Sequence, residues 1–257
     1  MASIVVRNLT IGEGMPKICV PIAETTQEGI VHAAQRIKGE HADLVEWRAD
    51  WFEDVFLTEK LQETLEALRQ VLGEMPLLFT FRTRKEGGEK EIEPEAYGAL
   101  NQAAAETGCI DLLDVEVFME GSAVKEIIDT AHRNHVKVIA SNHDFCRTPE
   151  QKEIVYRLCR MHELGADVSK IAVMPQSKQD VLTLLAATEE MQREHTDIPV
   201  ITMSMSGRGL ISRLCGELFG SVITFGCVGR ESAPGQIEAN ELARLLFILH
   251  QNFDGIS

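Results

Sequence analysis

The sequence predicts a (β/α)8 barrel, or TIM barrel, closed at its N-terminal end by a β-hairpin, and three observations lead to this fold class. The chain has 257 residues, close to the size of one such barrel. Eight short apolar runs begin about 25 to 35 residues apart, which is the length of one strand plus one helix. No linker rich in Pro, Gly or Ser divides the chain. We therefore expect one domain over residues 1–257.

The predicted elements start with the hairpin and continue as eight strands. The segment "SIVVRNLTIGEG" precedes the first barrel strand and is expected to pair with itself below the barrel. The barrel strands are nearly continuous in apolar residues, as strands covered on both faces are. In order, they read "KICVPI" from Lys17, "LVEWRAD" from Leu44, "LLFTFRT" from Leu77, "LLDVEV" from Leu112, "KVIASNHD" from Lys137, "VSKIAVMP" from Val168, "PVITMSM" from Pro199 and "VITFGCV" from Val222.

The segments between the strands are predicted to be helices, and two of them carry clear end signals. After the fifth strand, Thr148 is the expected N-cap, Pro149 the first helical residue, Gln151 the partner in a capping box and Gly165 the stop. After the sixth strand, Ser177 is the expected N-cap. One face of that helix then carries Val181, Leu184, Leu185 and Thr188.

The net charge and the cysteine content indicate which partners and which cellular compartment to expect. A formal net charge of −15 argues against nucleic acid and anionic membranes as partners, because both favour a basic face. An anionic ligand would need a locally basic pocket. The six cysteines are scattered, as expected for reduced thiols in the cytoplasm. We expect no secretion signal, no membrane span and no cofactor or metal, since His132 and His135 in "HRNH" lie at a helix end, away from the barrel mouth.

Several predicted strands carry polar residues on the face that points into the barrel. Side chains alternate along a strand, so the polar and apolar residues separate into two sets. The inward set comprises Glu46 with Arg48, Thr80 with Arg82, and Asp114 with Glu116, and the outward set comprises Trp47, Phe79, Phe81, Val115 and Val117. Barrel interiors are ordinarily apolar, so these charges indicate a site. Asp114 and Glu116 also fit a buried ionic network with Arg48 and Arg82.

Lys170 and His143 give that site a possible chemistry. Alone, Lys170 fits a solvated strand end and His143 fits a hydrogen-bonded core histidine. Together they lie on neighbouring strands, which are about 4.8 Å apart, and can meet inside the barrel. Nearby arginines and apolar walls would favour a neutral lysine amine, which attacks carbonyl groups. The resulting iminium withdraws electrons, so that an imidazole can remove an adjacent C–H proton without a metal.

The chain resembles the type I 3-dehydroquinate dehydratase family over nearly its whole length. The resemblance rests on the blocks "LVEWRAD", "LLFTFRTRKEGGE", "SNHDF", "SKIAVMPQS", "ITMSMSGRGLISRLCGELFGS" and "TFG" followed by "SAPGQI". It implies a (β/α)8 barrel, usually a homodimer, that dehydrates 3-dehydroquinate to 3-dehydroshikimate in the shikimate pathway through a Schiff base.

The resemblance also implies roles for individual residues. Lys170 matches the lysine that forms the Schiff base, His143 the general acid/base, and Glu86 the carboxylate that orients the histidine. Arg213 matches the arginine that binds the substrate carboxylate. The other implied substrate-binding residues are Glu46, Arg48, Arg82, Met203, Met205, Phe225, Ser232 and Gln236, the last two on a loop that closes over the ligand. Pro21 departs from the family, which often has a serine there.

Two other functions stay open at this point. Another Schiff-base barrel lyase, such as a class I aldolase acting on sugar phosphates, would use the glycines and arginines of "SMSGRGLI" and "FGCVGRES" to bind phosphate. A non-catalytic sensor on the same fold would keep the arginines and the closing loop. It would not need Lys170 and His143 together.

Overall fold

Parallel strands in chain order form the body of the protein. Within the residues that the computed structural model describes, 2–119, 124–229 and 235–253, nine such strands follow a short hairpin, and the first eight of them form the barrel. The strands are β1 (Ile4–Val6), β2 (Leu9–Ile11), β3 (Lys17–Ile22), β4 (Leu44–Arg48), β5 (Leu77–Thr80), β6 (Leu112–Glu116), β7 (Lys137–Asp144), β8 (Val168–Val173), β9 (Val200–Ser204), β10 (Ile223–Cys227) and β11 (Ile237–Glu238). Each of the eight predicted runs contains one of the barrel strands β3–β10.

The sheet closes into a barrel. Its order is β11-β10-β3-β4-β5-β6-β7-β8-β9, so the first barrel strand lies beside the last. At the remaining seam, a parallel bridge joins Val200 to Ser221, and the Val222 N–H donates to the Val200 carbonyl at 2.9 Å. These contacts link β9 to β10 and confirm the predicted (β/α)8 barrel.

The N-terminal hairpin covers the bottom of the barrel, as predicted. β1 and β2 pair antiparallel, and Arg7 in their turn has a left-handed backbone with φ of 52°. The Arg7 guanidinium binds Asp111 at 2.6 Å and Glu74 at 3.1 Å. Both partners lie on loops that lead into barrel strands, so these ion pairs fasten the hairpin to the barrel.

Helices follow the barrel strands and cover them from outside. They are α1 (Gln27–Ile37), α2 (Thr58–Leu72), α3 (Pro94–Glu106), α4 (Val124–Arg133), α5 (Gln151–Glu163), α6 (Lys178–Glu194), α7 (Ile211–Leu214), α8 (Gly216–Phe219) and α9 (Ala239–Asn252). In the described part of the chain, three of the connections also contain a short 3₁₀ turn, at Ala49–Trp51, Arg84–Glu86 and Gly207–Gly209.

The start of α6 agrees with the sequence and the start of α5 differs, whereas α5 ends just before Gly165, as predicted. Ser177 caps α6 in a capping box with Asp180, and the predicted inward face is buried. The predicted N-cap Thr148 is wrong, because α5 begins at Gln151 after Glu150. The Thr148 hydroxyl instead donates to the Met174 carbonyl at 3.1 Å. That bond fastens the lead-in segment to the loop after β8.

Two separate apolar cores result from the alternation of side chains. The outer core lies between the strands and the helices and contains Trp47, Phe79, Phe81, Val115 and Val117, as predicted. The inner core fills the bottom of the barrel with one side chain from each barrel strand. These are Cys19, Leu44, Leu78, Leu112, Ile139, Val168, Ile201 and Ile223, and they are joined from below by Val6 and Ile11 of the hairpin.

Candidate active site

The candidate site is built from the side chains directly above the inner core. Moving two residues along each strand keeps the same face and gives the next layer toward the C-terminal end. That layer comprises Pro21, Glu46, Thr80, Asp114, Ser141, Lys170, Met203 and Phe225. Two residues further lie Arg48, Arg82, Glu116, His143, Ala172 and Met205. The polar side chains are therefore at the mouth of the barrel, where sites of this fold form.

Lys170 is a buried member of β8, so its interpretation as a solvated strand end is wrong. Its Nζ donates to Asp114 Oδ2 at 3.0 Å and lies 3.7 Å from Glu46 Oε1. The face of Phe225 is 4.6 Å away. A buried ammonium is costly unless it is paired, and these carboxylates supply the pairing. The sequence led us to expect arginines and apolar walls around Lys170, but its nearest charged neighbours are acidic.

Arg82 binds two carboxylates of β6, Asp114 and Glu116, as the buried-network interpretation predicted. Its guanidinium donates to Asp114 at 2.8 Å and to Glu116 at 2.9 Å. Burial alone would raise the pKa of Asp114, but Arg82 and Lys170 outweigh it and hold that pKa below the usual range. Asp114 therefore stays ionised beside Lys170. Ser141 adds a third contact, since its hydroxyl donates to Asp114 at 2.5 Å.

Arg48 has a different partner from the one expected. It forms a two-point ion pair with Asp50, with both N···O distances at 2.9 Å, instead of binding Asp114 or Glu116. The strand ends at Arg48 and the chain turns into the 3₁₀ segment Ala49–Trp51. Strand alternation therefore no longer applies at Asp50, and its side chain folds back onto Arg48.

Glu86 and His143 form a hydrogen-bonded pair at the mouth. Glu86 Oε2 lies 2.9 Å from the His143 Nδ1 and also 2.9 Å from the His143 backbone nitrogen. Because Nδ1 faces Glu86, Nε2 is the ring nitrogen left for a ligand. The Asn142 amide donates to the other Glu86 oxygen at 3.1 Å. Two donors from β7 thus hold Glu86 against the histidine.

Burial strongly affects the protonation of this pair. Burial and the charge of Glu116 raise the pKa of Glu86 to about 8. Burial and the nearby cations Arg82 and Lys170 lower the pKa of His143 well below its usual value. The imidazole is therefore neutral at physiological pH, as a general base must be.

The opposite wall of the pocket is apolar except for Arg213 and Gln236. Met203, Met205 and Phe225 line it and are nearly buried. The Arg213 side chain comes from α7 and lies 3.9 Å from the Met203 sulfur. Ser232 falls outside the described residues. Pro21 also lines the pocket, so an apolar ring without a hydroxyl group faces the pocket at that position.

The pocket thus brings together 11 of the 12 predicted site residues. Its walls carry four basic side chains, Arg48, Arg82, Arg213 and Lys170, against two acidic ones, Glu46 and Glu86. The pocket lining is therefore more basic than the chain as a whole, which has a net charge of −15. The arrangement can bind a carboxylate, attack a carbonyl through a lysine and move a proton through a histidine.

Structure adds residues that the sequence did not single out. Phe145 lines the pocket and packs on Gly87, where an added Cβ would lie 2.3 Å from the ring. Asp50 and Asn142 each lie next to the site without lining it. The blocks "EWRAD" and "SNHDF" contained all three, but the chemistry of aspartate, asparagine and phenylalanine is too general to reveal their roles.

The other candidate features lie elsewhere. His132 binds Asp167 at 2.8 Å, near the N-terminal ends of the strands. Among residues 2–119, 124–229 and 235–253, no group of three or more His, Cys, Asp or Glu side chains is arranged to hold a metal ion. In the same ranges, no helix has both the length and the apolar character needed to span a membrane.

Comparisons with known proteins agree with this geometry. The family model described as type I 3-dehydroquinase matches residues 18–253. A 3-dehydroquinate dehydratase of Clostridioides difficile is 53% identical over 97% of this chain and 98% of the relative. One from Syntrophotalea carbinolica is 53% identical over 97% of this chain and 99% of its own.

Solved structures give the same result. A Clostridium difficile type I 3-dehydroquinate dehydratase with covalent modified comenic acid superposes with a TM-score of 0.95 at 52% identity, covering 98% of this chain and 100% of that one. The Geobacillus kaustophilus 3-dehydroquinate dehydratase has a TM-score of 0.94 at 38% identity, with 98% of each chain covered.

Proposed function

The chain belongs to the type I 3-dehydroquinase family, and from this premise we propose that it dehydrates 3-dehydroquinate to 3-dehydroshikimate. It is a hydro-lyase of the shikimate pathway. The proposed mechanism rests on one observation: Lys170 and the Glu86–His143 pair line the same pocket. An aldolase acting on sugar phosphates or a ligand sensor would not require that pair beside the lysine.

Substrate binding uses the charged groups of the pocket. Arg213 binds the substrate carboxylate through its planar guanidinium, which suits two parallel hydrogen bonds. Glu46, Arg48 and Arg82 bind the hydroxyl groups. Met203, Met205 and Phe225 form the apolar wall beside the reacting carbon atoms, and Gln236, which lines the pocket, contacts the ligand. The resemblance assigns Ser232 to the same task.

The reaction begins with imine formation at Lys170. Its ammonium gives one proton to the neutral His143, and the resulting free amine attacks the C3 ketone. His143 then returns that proton to the carbinolamine hydroxyl, which leaves as water. The product is an iminium that carries a positive charge. Asp114, held ionised next to Lys170, and the face of Phe225 both stabilise that charge.

Elimination then uses one histidine twice. The iminium acidifies the C2 proton, and His143 Nε2 removes it to give an enamine. The electrons of the enamine expel the C1 hydroxyl, which takes the same proton from His143 and leaves as water. Hydrolysis of the conjugated iminium releases the product and restores Lys170. Glu86 stabilises the imidazolium that exists between the two proton transfers.

Borohydride trapping tests this mechanism. The protein is incubated with 3-dehydroquinate, reduced, digested and analysed by mass spectrometry, while the enone product is followed by its ultraviolet absorbance. We expect the reduced adduct on Lys170 together with enone formation. Lys170→Met should lose both signals. His143→Ala should keep the adduct and turn over about 10² to 10⁴ times more slowly.

Each other outcome contradicts part of the proposal. Enone formation without an adduct would overturn the Schiff-base mechanism, but the proposed dehydration would stand. The absence of both signals would overturn the reaction itself. Normal turnover by His143→Ala would remove this histidine from the mechanism.

We also propose the setting in which this chemistry occurs. Residues 1–257 act as one catalytic domain in a cytoplasmic homodimer, without metal or cofactor, because the iminium supplies the electron sink. The free cysteines support a reducing compartment. A solution mass equal to that of one chain, 28.6 kDa, would contradict the dimer.

A further inference from the structure

A chain of hydrogen bonds leads from helix α5 to the Glu86–His143 pair. Arg157 on α5 donates through Nη1 to Asn142 Oδ1 at 2.9 Å. Asn142 donates in turn through Nδ2 to Glu86 Oε1 at 3.1 Å. Asn142 and Arg157 do not line the pocket, so both act on the site from behind it.

The chemistry of the two neighbours determines how the Asn142 amide is turned. A guanidinium can only donate hydrogen bonds, and an ionised carboxylate can only accept them. The Asn142 oxygen must therefore face Arg157, and its NH₂ group must face Glu86. A proton on Glu86 Oε1 would point at the Asn142 NH₂ group, which cannot accept a hydrogen bond. The Asn142 amide therefore disfavours protonation of this oxygen.

We propose that Asn142, oriented by Arg157, is a positioning residue that favours the ionised form of Glu86, the form that accepts a hydrogen bond from the His143 ring. The inference deepens the proposed function and rests on it. Its catalytic consequence follows from the tautomer of His143. An ionised Glu86 requires the proton on Nδ1 and leaves Nε2 free as a base. A protonated Glu86 donates to Nδ1 and places the histidine proton on Nε2, where it blocks proton removal.

The groups around Glu86 explain why one amide matters. Burial and the charges of Glu116 and Asp114 favour protonation of Glu86. Arg82, with Nη1 at 3.7 Å, favours ionisation, as do the donors from Asn142 and from the His143 backbone and ring. The opposing effects leave Glu86 able to titrate near neutral pH, so the loss of one donor changes its charge state there.

Asn142→Asp provides the sharpest test, because it keeps the shape and the Arg157 contact but places a second carboxylate against Glu86. Two carboxylates that share a site raise the pKa of one of them. The pH at half-maximal kcat should rise by about one unit, with roughly tenfold slower turnover at pH 7 and recovery at higher pH. Asn142→Leu and Arg157→Leu should shift the profile in the same direction by less.

The matched control is Glu153→Gln. Glu153 is the other partner of Arg157, on the same helix, and its loss leaves the Asn142 bond in place. Its pH profile should match that of the wild type. Thermal unfolding and borohydride trapping on Lys170 establish for each variant that the protein is folded and forms the imine. Nitrogen-15 shifts of His143 report the tautomer independently of turnover.

The outcomes separate this inference from the proposed function. If the wild type forms enone and folded Asn142→Asp keeps both the wild-type profile and the His143 tautomer shifts, the positioning role is wrong and the function stands. A shift caused equally by Glu153→Gln would also overturn it. If the wild type gives neither enone nor adduct, the function and the inference fall together.

Discussion

The two ring nitrogens of His143 meet different partners, and this asymmetry decides what the residue can do. Nδ1 contacts Glu86, and Nε2 is left for the substrate. Burial and nearby cations lower the pKa of the imidazole. The ring is therefore already neutral at physiological pH and can accept a proton. Catalytic competence therefore depends on the charge of Glu86, which fixes the tautomer.

At this residue scale, the pKa of Glu86 predicts the pH dependence of turnover. Only the ionised form supports the basic Nε2, so kcat should rise with pH and be half-maximal near the Glu86 pKa of about 8. Glu86→Gln cannot ionise, so its kcat should lack this rise and be about 10² times lower at pH 9. Steady-state profiles from pH 6 to 9.5 measure both. An unchanged rise in Glu86→Gln would assign the titration to another group.

At the scale of one element, the loop after β5 positions Glu86 through a very close backbone contact. Gly88 donates its N–H to the Thr83 carbonyl at 2.8 Å. An added Cβ at Gly88 would lie only 1.9 Å from the Arg82 carbonyl oxygen and 3.0 Å from the Asp50 carboxylate. Asp50 also accepts from the Arg82 and Glu89 backbone. One buried carboxylate thus joins Arg48 to the loop that carries Glu86.

Gly88→Ala should therefore displace the loop and reduce catalysis. A shift of about 1 Å at a catalytic group costs on the order of 10²-fold in rate, and we expect kcat to fall by that amount. The matched control is Gly98→Ala in α3, where an added Cβ has no heavy atom within 4 Å. It should keep kcat and gain about 0.5 to 1 kcal/mol of stability. Wild-type kcat in Gly88→Ala would contradict the positioning role of this loop.

Comparison of individual elements indicates what the sequence could predict. The apolar runs located every barrel strand, because strands that are covered on both faces need apolar side chains on both. The alternation of side chains correctly placed Glu46, Arg82 and Asp114 in the barrel interior. Prediction failed where local periodicity ends. Asp50 follows the end of β4, so alternation could not assign it to Arg48. Thr148 has the composition of an N-cap, but a tertiary bond to Met174 takes its hydroxyl.

At the scale of the whole molecule, stability and chemistry occupy opposite ends of one barrel. The bottom is an apolar core sealed by the hairpin, and the mouth holds buried charges that are costly to desolvate. Apolar packing at the bottom stabilises the barrel. The mouth can therefore contain the buried charges of Lys170, Arg82 and their carboxylate partners. Residues at the mouth can then change without loss of the residues that stabilise the fold, as is general for this architecture.

This separation predicts the effect of a substitution at the base. Ile11 is fully buried in the inner core, whereas Val5 of the same hairpin is 63% exposed. Ile11→Ala should lower the free energy of unfolding in urea by about 2 to 5 kcal/mol, because it removes buried methylene groups and leaves a cavity. Val5→Ala should change it by less than about 0.5 kcal/mol. Both variants should keep the wild-type kcat at 25 °C, since the eight strand side chains of the inner core lie between these two residues and the pocket. A loss of kcat in folded Ile11→Ala comparable to that of Gly88→Ala would mean that packing at the base sets the geometry of the mouth.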